Sequence, residues 1–291
     1  MIPRAFEYLV PRTLTEAVTF LQQYGDKAKI LAGGHSLIPM MKLRLATPDY
    51  LIDINQISEL NYIRESDGYL RIGALTREVA LEESDLIQSK YRILWDTTRV
   101  IADPQVRNLA TVGGNLAHGD PANDHPATML ALGARLQTTG PDGERTLPVE
   151  DFFTDFLTTA LQAHEILTEI QVPIPAPGSG GAYLKIERRA GDFATAGVAV
   201  QLTLDRAGLC REAGIGLTNV GTAPIKARQA EQAIRGRRPD EATVNEAAAL
   251  AAAAARPQAD LRGSEEYKRA MVKELTRRAL ALAVKRAKGD H

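Results

Sequence analysis

The apolar positions of the first fifty residues change period more than once. Leu14, Ala17, Val18, Leu21 and Tyr24 recur at helical spacing behind Thr13-Leu14-Thr15-Glu16, which has the form of a capping box, and Gly25 ends the pattern. Ala28 to Leu31 then reads as a short strand and Tyr50 to Ile54 as a second. Between them Leu37 to Leu45 reads as a helix, which tolerates Pro39 only in its first turn. Residues 1–57 are expected to form a small βαβ-like lobe. Further on, Tyr69–Gly73 is a strand, and Thr76 is placed to cap the helix that follows it. A longer helix is expected over Ile87–Ile101, stopped by Asp103-Pro104, because a residue before proline avoids the helical region. Asp124 is placed to cap a helix over Pro126–Leu132. Strands at Arg135–Thr139 and Arg145–Leu147 flank the turn Pro141-Asp142-Gly143, and Ile166–Val172 adds another.

Pro173 to Gly181 is the stretch with linker composition, so the chain divides into residues 1–177, with lobes 1–57 and 58–177, and residues 178–291. The second part opens with strands at Ala182–Glu187, Ala194–Leu204 and Leu209–Val220, and continues with helices at Ala227–Ile234, Glu241–Ala254 and Glu265–Lys288. Strands in a run followed by helices in a run predict an α+β fold with an antiparallel sheet. The alternating charges of Lys268–Arg278 read as a solvated helix face.

Composition removes several classes of function. A net charge of −1 gives no basic footprint for nucleic acid. No run approaches the roughly eighteen apolar residues of a membrane span, and Met1–Phe6 lacks an apolar secretory core, so a cytoplasmic protein is expected. The single cysteine, Cys210, excludes an internal disulfide and a chain-encoded iron–sulfur cluster, and reads as buried filler. Five scattered histidines without H-E-x-x-H or C-x-x-C make no zinc site.

The candidate chemistry lies in two glycine pairs, Ala32-Gly33-Gly34-His35-Ser36 and Thr111-Val112-Gly113-Gly114-Asn115. Residues without Cβ let backbone N–H groups close on a phosphate. Neither a P-loop nor a Rossmann fingerprint is present, and neither segment carries a lysine. Phosphates would be held by amides and hydroxyls, which suits a resident dinucleotide, with FAD the leading candidate.

With these residues the chain resembles the FAD-binding medium subunit of molybdenum hydroxylases of the carbon monoxide dehydrogenase and xanthine dehydrogenase type. The likeness runs from Ile2-Pro3 and Phe6-Glu7-Tyr8 through Leu31–Lys42, Ile101–Arg107, Gly119-Asp120-Pro121-Ala122-Asn123-Asp124, Glu165-Ile166-Leu167, Lys185, Arg188–Ala194 and Gly216–Val220. His35 and the Gly-Asp-Pro-x-Asn-Asp segment lean it towards the carbon monoxide dehydrogenase branch. The resemblance implies a two-lobed PCMH-type FAD-binding domain followed by a domain of antiparallel sheet and helices.

It further implies that the amides of Ala32–Ser36 and Thr111–Asn115 hold the pyrophosphate, with side-chain bonds from Ser36, Thr111 and Asn115. Leu37, Ile101, Ala102 and Val112 belong to the same cofactor-binding set. Asp124 would accept a sugar hydroxyl of the adenosine half, with the helix cap as the alternative. Leu167 would lie near the rings or simply in a strand core. Lys185 would reach the flavin or its phosphates, or else sit on the surface, and Phe193 would stack on the isoalloxazine. His35 is assigned to binding, and no residue here is assigned to catalysis.

The implied role is electron transfer, from partner iron–sulfur clusters through FAD to an acceptor such as a quinone. The molybdopterin cofactor and [2Fe-2S] clusters would lie on a large and a small partner subunit, in a dimer of heterotrimers. Peripheral association of the complex with the inner face of the cytoplasmic membrane is part of that expectation. The alternative is a self-contained flavin-dependent oxidase or dehydrogenase.

Overall fold

Thr13 caps α1 (Leu14–Tyr24) by accepting the Glu16 amide at 3.2 Å, and Glu16 reaches back to the Arg12 amide at 2.7 Å. The buried side of that helix, Ala17, Val18 and Leu21, packs with Ile52 and Ile54. In the computed structural model, which describes residues 1–289, this helix packs on a parallel three-stranded sheet. Its strands are β1 (Glu7–Leu9), β2 (Ala28–Leu31) and β3 (Tyr50–Asp53), in the order β1-β3-β2. β1 is three residues long and mostly exposed, so it offers no alternation to read. α2 (Leu37–Lys42) stops short of the expected Leu45, and Arg44 just beyond it has φ 60°.

The second sheet is antiparallel, in the order β4-β5-β10-β6-β7. β4 (Ile63–Ser66) and β5 (Tyr69–Gly73) open it. The helical stretch between β5 and β6 holds α3 (Glu78–Glu83), α4 (Asp85–Lys90), α5 (Arg92–Arg99), α6 (Pro104–Arg107), α7 (Val112–Ala117) and α8 (Asp124–Leu132). β6 (Arg135–Gly140) and β7 (Gly143–Pro148) follow, then the small hairpin β8 (Phe153–Asp155) and β9 (Thr158–Thr159), and β10 (Ile166–Pro173).

Several expectations change here. The helix expected over 87–101 is two helices, broken at Tyr91 (φ −117°, ψ 53°), whose buried ring sends its hydroxyl to Glu65 at 2.6 Å. Thr76 does not cap α3, because its hydroxyl donates to the Tyr62 carbonyl at 3.0 Å and Arg77 takes the cap position. Asp124 does not cap α8 either: Asn123 holds that position and Asp124 is the first helical residue.

The third sheet contains β11 (Ser179–Ile186), β12 (Ala196–Leu204), β13 (Cys210–Thr218) and β14 (Ile225–Lys226), antiparallel in that order. Its first residues come from the stretch read as linker. Gly180 and Gly181 are there for close packing: a Cβ on Gly180 would lie 2.2 Å from the Ala283 carbonyl oxygen. Side chains alternate across a strand, and along β12 Val198, Val200 and Leu202 face a core shared with α9 (Arg228–Ile234), α10 (Glu241–Ala254) and α11 (Glu265–Ala287). Ala199 faces the other way, towards Ile93 of α5 and Ala127 and Ala131 of α8.

On the same side of β13 stand Gly214 and Gly216, where any Cβ would fall 2.0 Å from the carbonyl oxygens of Ala131 and Ala127. The third sheet thus lies directly on the backbone of α8. Lys268 is not part of a solvated face, being 2% exposed with its ammonium on Asp260 at 2.8 Å and on the Gln258 carbonyl at 2.9 Å. No helix among the described residues is long and apolar enough to cross a membrane.

Candidate functional site

A cavity of about 730 Å3 opens between the end of β2, the start of α7, the start of α8, β10 and the loop before β12. That size falls within the roughly 300–1,000 Å3 usual for small-molecule and cofactor sites. It is lined by Ala32, Gly33, Gly34, His35, Ser36 and Leu37 on one side, and by Thr111, Gly113, Gly114 and Asn115 on another. Ile101, Ala102, Asp124, Leu167 and Phe193 complete the expected residues that the fold gathers here. Val112 and Lys185 do not line it.

The first glycine segment is held from behind. Gly33 presses on the chain at 109–110, where a Cβ would lie 2.5 Å from the Leu109 carbonyl oxygen and 2.7 Å from the Ala110 Cα. Asn55 donates to the Ala32 carbonyl at 2.9 Å, Arg77 donates to the Asn55 amide oxygen at 2.6 Å, and the other Arg77 nitrogen bonds the Leu109 carbonyl. Gly34 takes φ +78°, a conformation open to glycine. With the carbonyl side tied down in this way, the amides of Gly33, Gly34, His35, Ser36 and Leu37 make no hydrogen bond among the described residues. Five successive N–H donors at one wall of a cavity form a cradle for an anion.

The second segment differs, which corrects the symmetrical expectation. It is not a loop but the start of α7, with Thr111 as cap. Four of its five amides are already spent: Val112 on the Thr76 carbonyl at 3.0 Å, Gly113 on Ala74 at 3.0 Å, Gly114 on the Thr111 hydroxyl at 3.1 Å and Asn115 on the Thr111 carbonyl at 2.9 Å. Gly113 is required by packing, since its Cβ would lie 2.6 Å from the Ala74 carbonyl oxygen. Val112 turns a fully buried side chain into the core. What the segment offers the cavity is the Thr111 hydroxyl, the exposed face of Gly114 and the Asn115 side chain, whose Oδ1 is buried without a partner.

Asp124 is 6% exposed, with Oδ1 accepting from the Tyr183 hydroxyl at 2.5 Å and Oδ2 from Lys185 at 3.2 Å. Burial raises its pKa above the usual carboxylate range, against the pull of Lys185 and Tyr183. Lys185 is neither on the surface nor at the cavity. Its ammonium donates to the Val100 carbonyl at 2.7 Å and the Asp192 carbonyl at 3.1 Å besides Asp124, so it ties three cavity-bearing segments together from below. Phe193 reaches the cavity and is 48% exposed.

Residues that sequence reasoning missed include Leu157, Leu161, Gln162 and Glu165 on the stretch between β8 and β10, together with His118 and Asp192. Burial lowers the pKa of His118, opposed by Asp120. Leu157 has φ 51°, at the turn of a two-residue-wide hairpin that carries no periodic signal.

The profile described as "FAD binding domain in molybdopterin dehydrogenase" matches residues 4–175, and "CO dehydrogenase flavoprotein C-terminal domain" matches residues 181–283. The chain belongs to this family of FAD-binding medium subunits. It is 45% identical to the carbon monoxide dehydrogenase medium chain of Afipia carboxidovorans, covering 99% of this chain and 100% of that one. The glyceraldehyde dehydrogenase medium chain of Sulfolobus acidocaldarius is 38% identical, with 96% and 98% covered. Among solved structures, carbon monoxide dehydrogenase from Hydrogenophaga pseudoflava superposes with a TM-score of 0.96 at 46% identity, with 98% of this chain and 99% of that chain covered.

The residues present fit the FAD of this family. Five free amides supply donors for phosphates without a lysine, the unpartnered Asn115 oxygen supplies an acceptor for an N–H or O–H of the cofactor, and Ile166, Leu167, Leu37 and Met40 supply apolar walls for rings.

Proposed function

We propose that this medium subunit is an electron junction: it holds FAD between redox centres on partner chains and an external acceptor, and leaves the oxidation of substrate to a partner. The five unpartnered amides of Gly33–Leu37 carry the reading, because successive N–H donors on a cavity wall suit a pyrophosphate. When bound, FAD takes two electrons and passes them on singly or in pairs. The chain's own work is placement. Gly33–Leu37 hold the diphosphate, and Thr111 and Asn115 add side-chain bonds from across the cavity. Asp124, whose oxygens retain spare lone pairs, accepts a sugar hydroxyl. Leu167 and Ile166 exclude water along β10, and Phe193 lies against the flavin ring.

Two domains share these tasks in this reading: residues 1–177 contribute most of the cavity, and residues 178–291 contribute Phe193 and the support beneath Asp124. The partners are a large molybdenum-binding subunit and a small iron–sulfur subunit, in a dimer of heterotrimers. The complex works in the cytoplasm or at the inner face of its membrane, with a quinone as acceptor. The substrate class is set by the large partner, as the carbon monoxide and glyceraldehyde dehydrogenases named above illustrate.

The test is anaerobic stopped-flow absorbance on the complex assembled from all three chains, following flavin and cluster bands separately. Substrate reduces clusters and flavin in the full complex, and clusters alone when this chain is left out. Substrate-driven bleaching of flavin in this chain without partners would overturn the reading and favour a self-contained oxidase.

A further inference from the structure

Arg262 stands in the turn between α10 and α11, distant in sequence from every part of the cavity, yet it reaches the cavity wall. Its turn is fixed first: Asp260 and Gly263 bridge across it, Asp260 Oδ1 accepts the Arg262 amide at 2.8 Å, and Asp260 Oδ2 takes the buried Lys268 ammonium at 2.8 Å. From this base the guanidinium donates through Nη2 to Asp192 Oδ1 at 3.0 Å, and its carbon lies 5.9 Å from the centre of the Phe193 ring.

The Gly191–Phe193 turn is pinned by its backbone and by Asp192. Arg188 Nε donates to Asp192 Oδ2 at 3.0 Å, the Phe193 amide donates to Asp192 Oδ1 at 2.9 Å, and Lys185 holds the Asp192 carbonyl. Gly191, at φ +79°, lies against the Ala102 carbonyl, where a Cβ would be 2.8 Å away. The ring of Phe193 is less constrained, being half exposed, and among the described residues Arg262 is the one cation over it.

We propose that Arg262 is the positioning residue for Phe193: it fixes the aromatic ring at the cavity through the Asp192 carboxylate and through its own charge near the ring, so that FAD meets a stacking surface already in place. A planar guanidinium suits both contacts, since it donates in a fixed fork while presenting a weakly hydrated cation to an aromatic ring. The proposal rests on the reading of the cavity as an FAD site with Phe193 against the flavin. It adds that the stacking surface is set by the C-terminal helical segment, outside the part of the chain that supplies the phosphate cradle.

The experiment uses the assembled complex loaded with FAD and compares Arg262→Ala, Arg262→Lys, Phe193→Ala and the double variant Arg262→Ala/Phe193→Ala. The readouts are flavin fluorescence, which a stacked aromatic ring quenches, and the rate of FAD dissociation. Phe193→Ala raises emission and speeds dissociation. Arg262→Ala changes both in the same direction, with dissociation about 3- to 10-fold faster, and Arg262→Lys recovers part of the loss. In the Phe193→Ala background the arginine change adds nothing further, because groups that act through one another are not additive.

An effective Phe193→Ala beside a silent or fully additive Arg262→Ala overturns this proposal alone. A silent Phe193→Ala overturns the placement of the ring on the flavin and the proposal with it. If Arg262→Ala does not assemble, Arg262→Gln, which keeps a donor and removes the charge, carries the same comparison.

Discussion

Adding one methyl at Gly33 tests whether contact between two stretches of backbone shapes the cradle. In Gly33→Ala the new Cβ would lie 2.5 Å from the Leu109 carbonyl oxygen and 2.7 Å from the Ala110 Cα. Both are main-chain atoms, so no side chain can swing aside, and the segments must part by nearly an ångström to reach ordinary contact near 3.4 Å. The Leu109 carbonyl also anchors Arg77, which holds Asn55, which holds the Ala32 carbonyl, so parting strains the bonds that orient the five amides. Overpacking of this kind costs ~1–3 kcal/mol. Where that cost falls on the bound form, FAD is held roughly 5- to 150-fold more weakly. The assay is FAD release from the assembled complex on dilution, followed by flavin fluorescence, beside the thermal midpoint. Gly133→Ala is the control: Gly133 has φ +63° with no atom within 4 Å of a new Cβ. It therefore loses ~1–2 kcal/mol to backbone strain alone and leaves FAD release unchanged. Native-like FAD retention in Gly33→Ala would refute the reasoning.

Gly216→Ala pushes β13 off the Ala127 carbonyl and lowers the thermal midpoint by several degrees, read by calorimetry on the complex. Glu78→Ala leaves His125 Nε2 without its 2.7 Å partner where both side chains are fully buried, and urea unfolding should register a loss of ~1–3 kcal/mol. Cys210, pushed up to about 11 by burial, resists alkylation at pH 8, and Cys210→Ser keeps full FAD content. The unfolded thiol ionises first, near 9, so stability falls as pH rises from about 9 to about 11. Urea midpoints at both ends of that window should show a drop in the native chain that the serine variant lacks. The Asp192 carboxyl, held down to about 2 first by Arg262 and then by Arg188, gives support that is full above the ordinary carboxylate value near 3.8. That support is lost as pH falls through about 2, so the protection of the Phe193 amide, its exchange rate relative to an unstructured peptide at the same pH, is unchanged between pH 5 and 4 and falls only in stronger acid.

The α+β class, the order of strands and helices in the second half and most of the cavity's walls were legible because period, caps and glycine pairs are local signals. The division of labour between the two glycine pairs was not. Gly33 and Gly113 look alike in sequence, yet the amide of Gly113 is claimed by Ala74, a residue that only the folded chain brings near it. Family likeness assigned Asp124 to the cofactor and expected Lys185 to reach the flavin or its phosphates, whereas the fold puts Lys185 on Asp124 itself, a bond between residues far apart in the chain. Gly180 and Gly181 read as linker because composition cannot distinguish a glycine that bends from one that lets a helix come close. The hairpin β8–β9 left no trace because two and three residues are too few to establish a period.

α8 is buried along eight of its nine residues, and part of that cover is β12 and β13. On the ribosome the helix emerges well before those strands exist, and at roughly 5–20 residues per second it waits on the order of several seconds with Ala127, Ala131 and the adjoining Ile93 of α5 uncovered. The nascent first half therefore carries an apolar strip beside the unfinished cavity, and Lys185, which secures Asp124, arrives only with β11. The cavity is in this sense a late product of synthesis: Gly33–Leu37 are made early, and the bonds of Asp124 to Tyr183 and Lys185 exist only once β11 has been added.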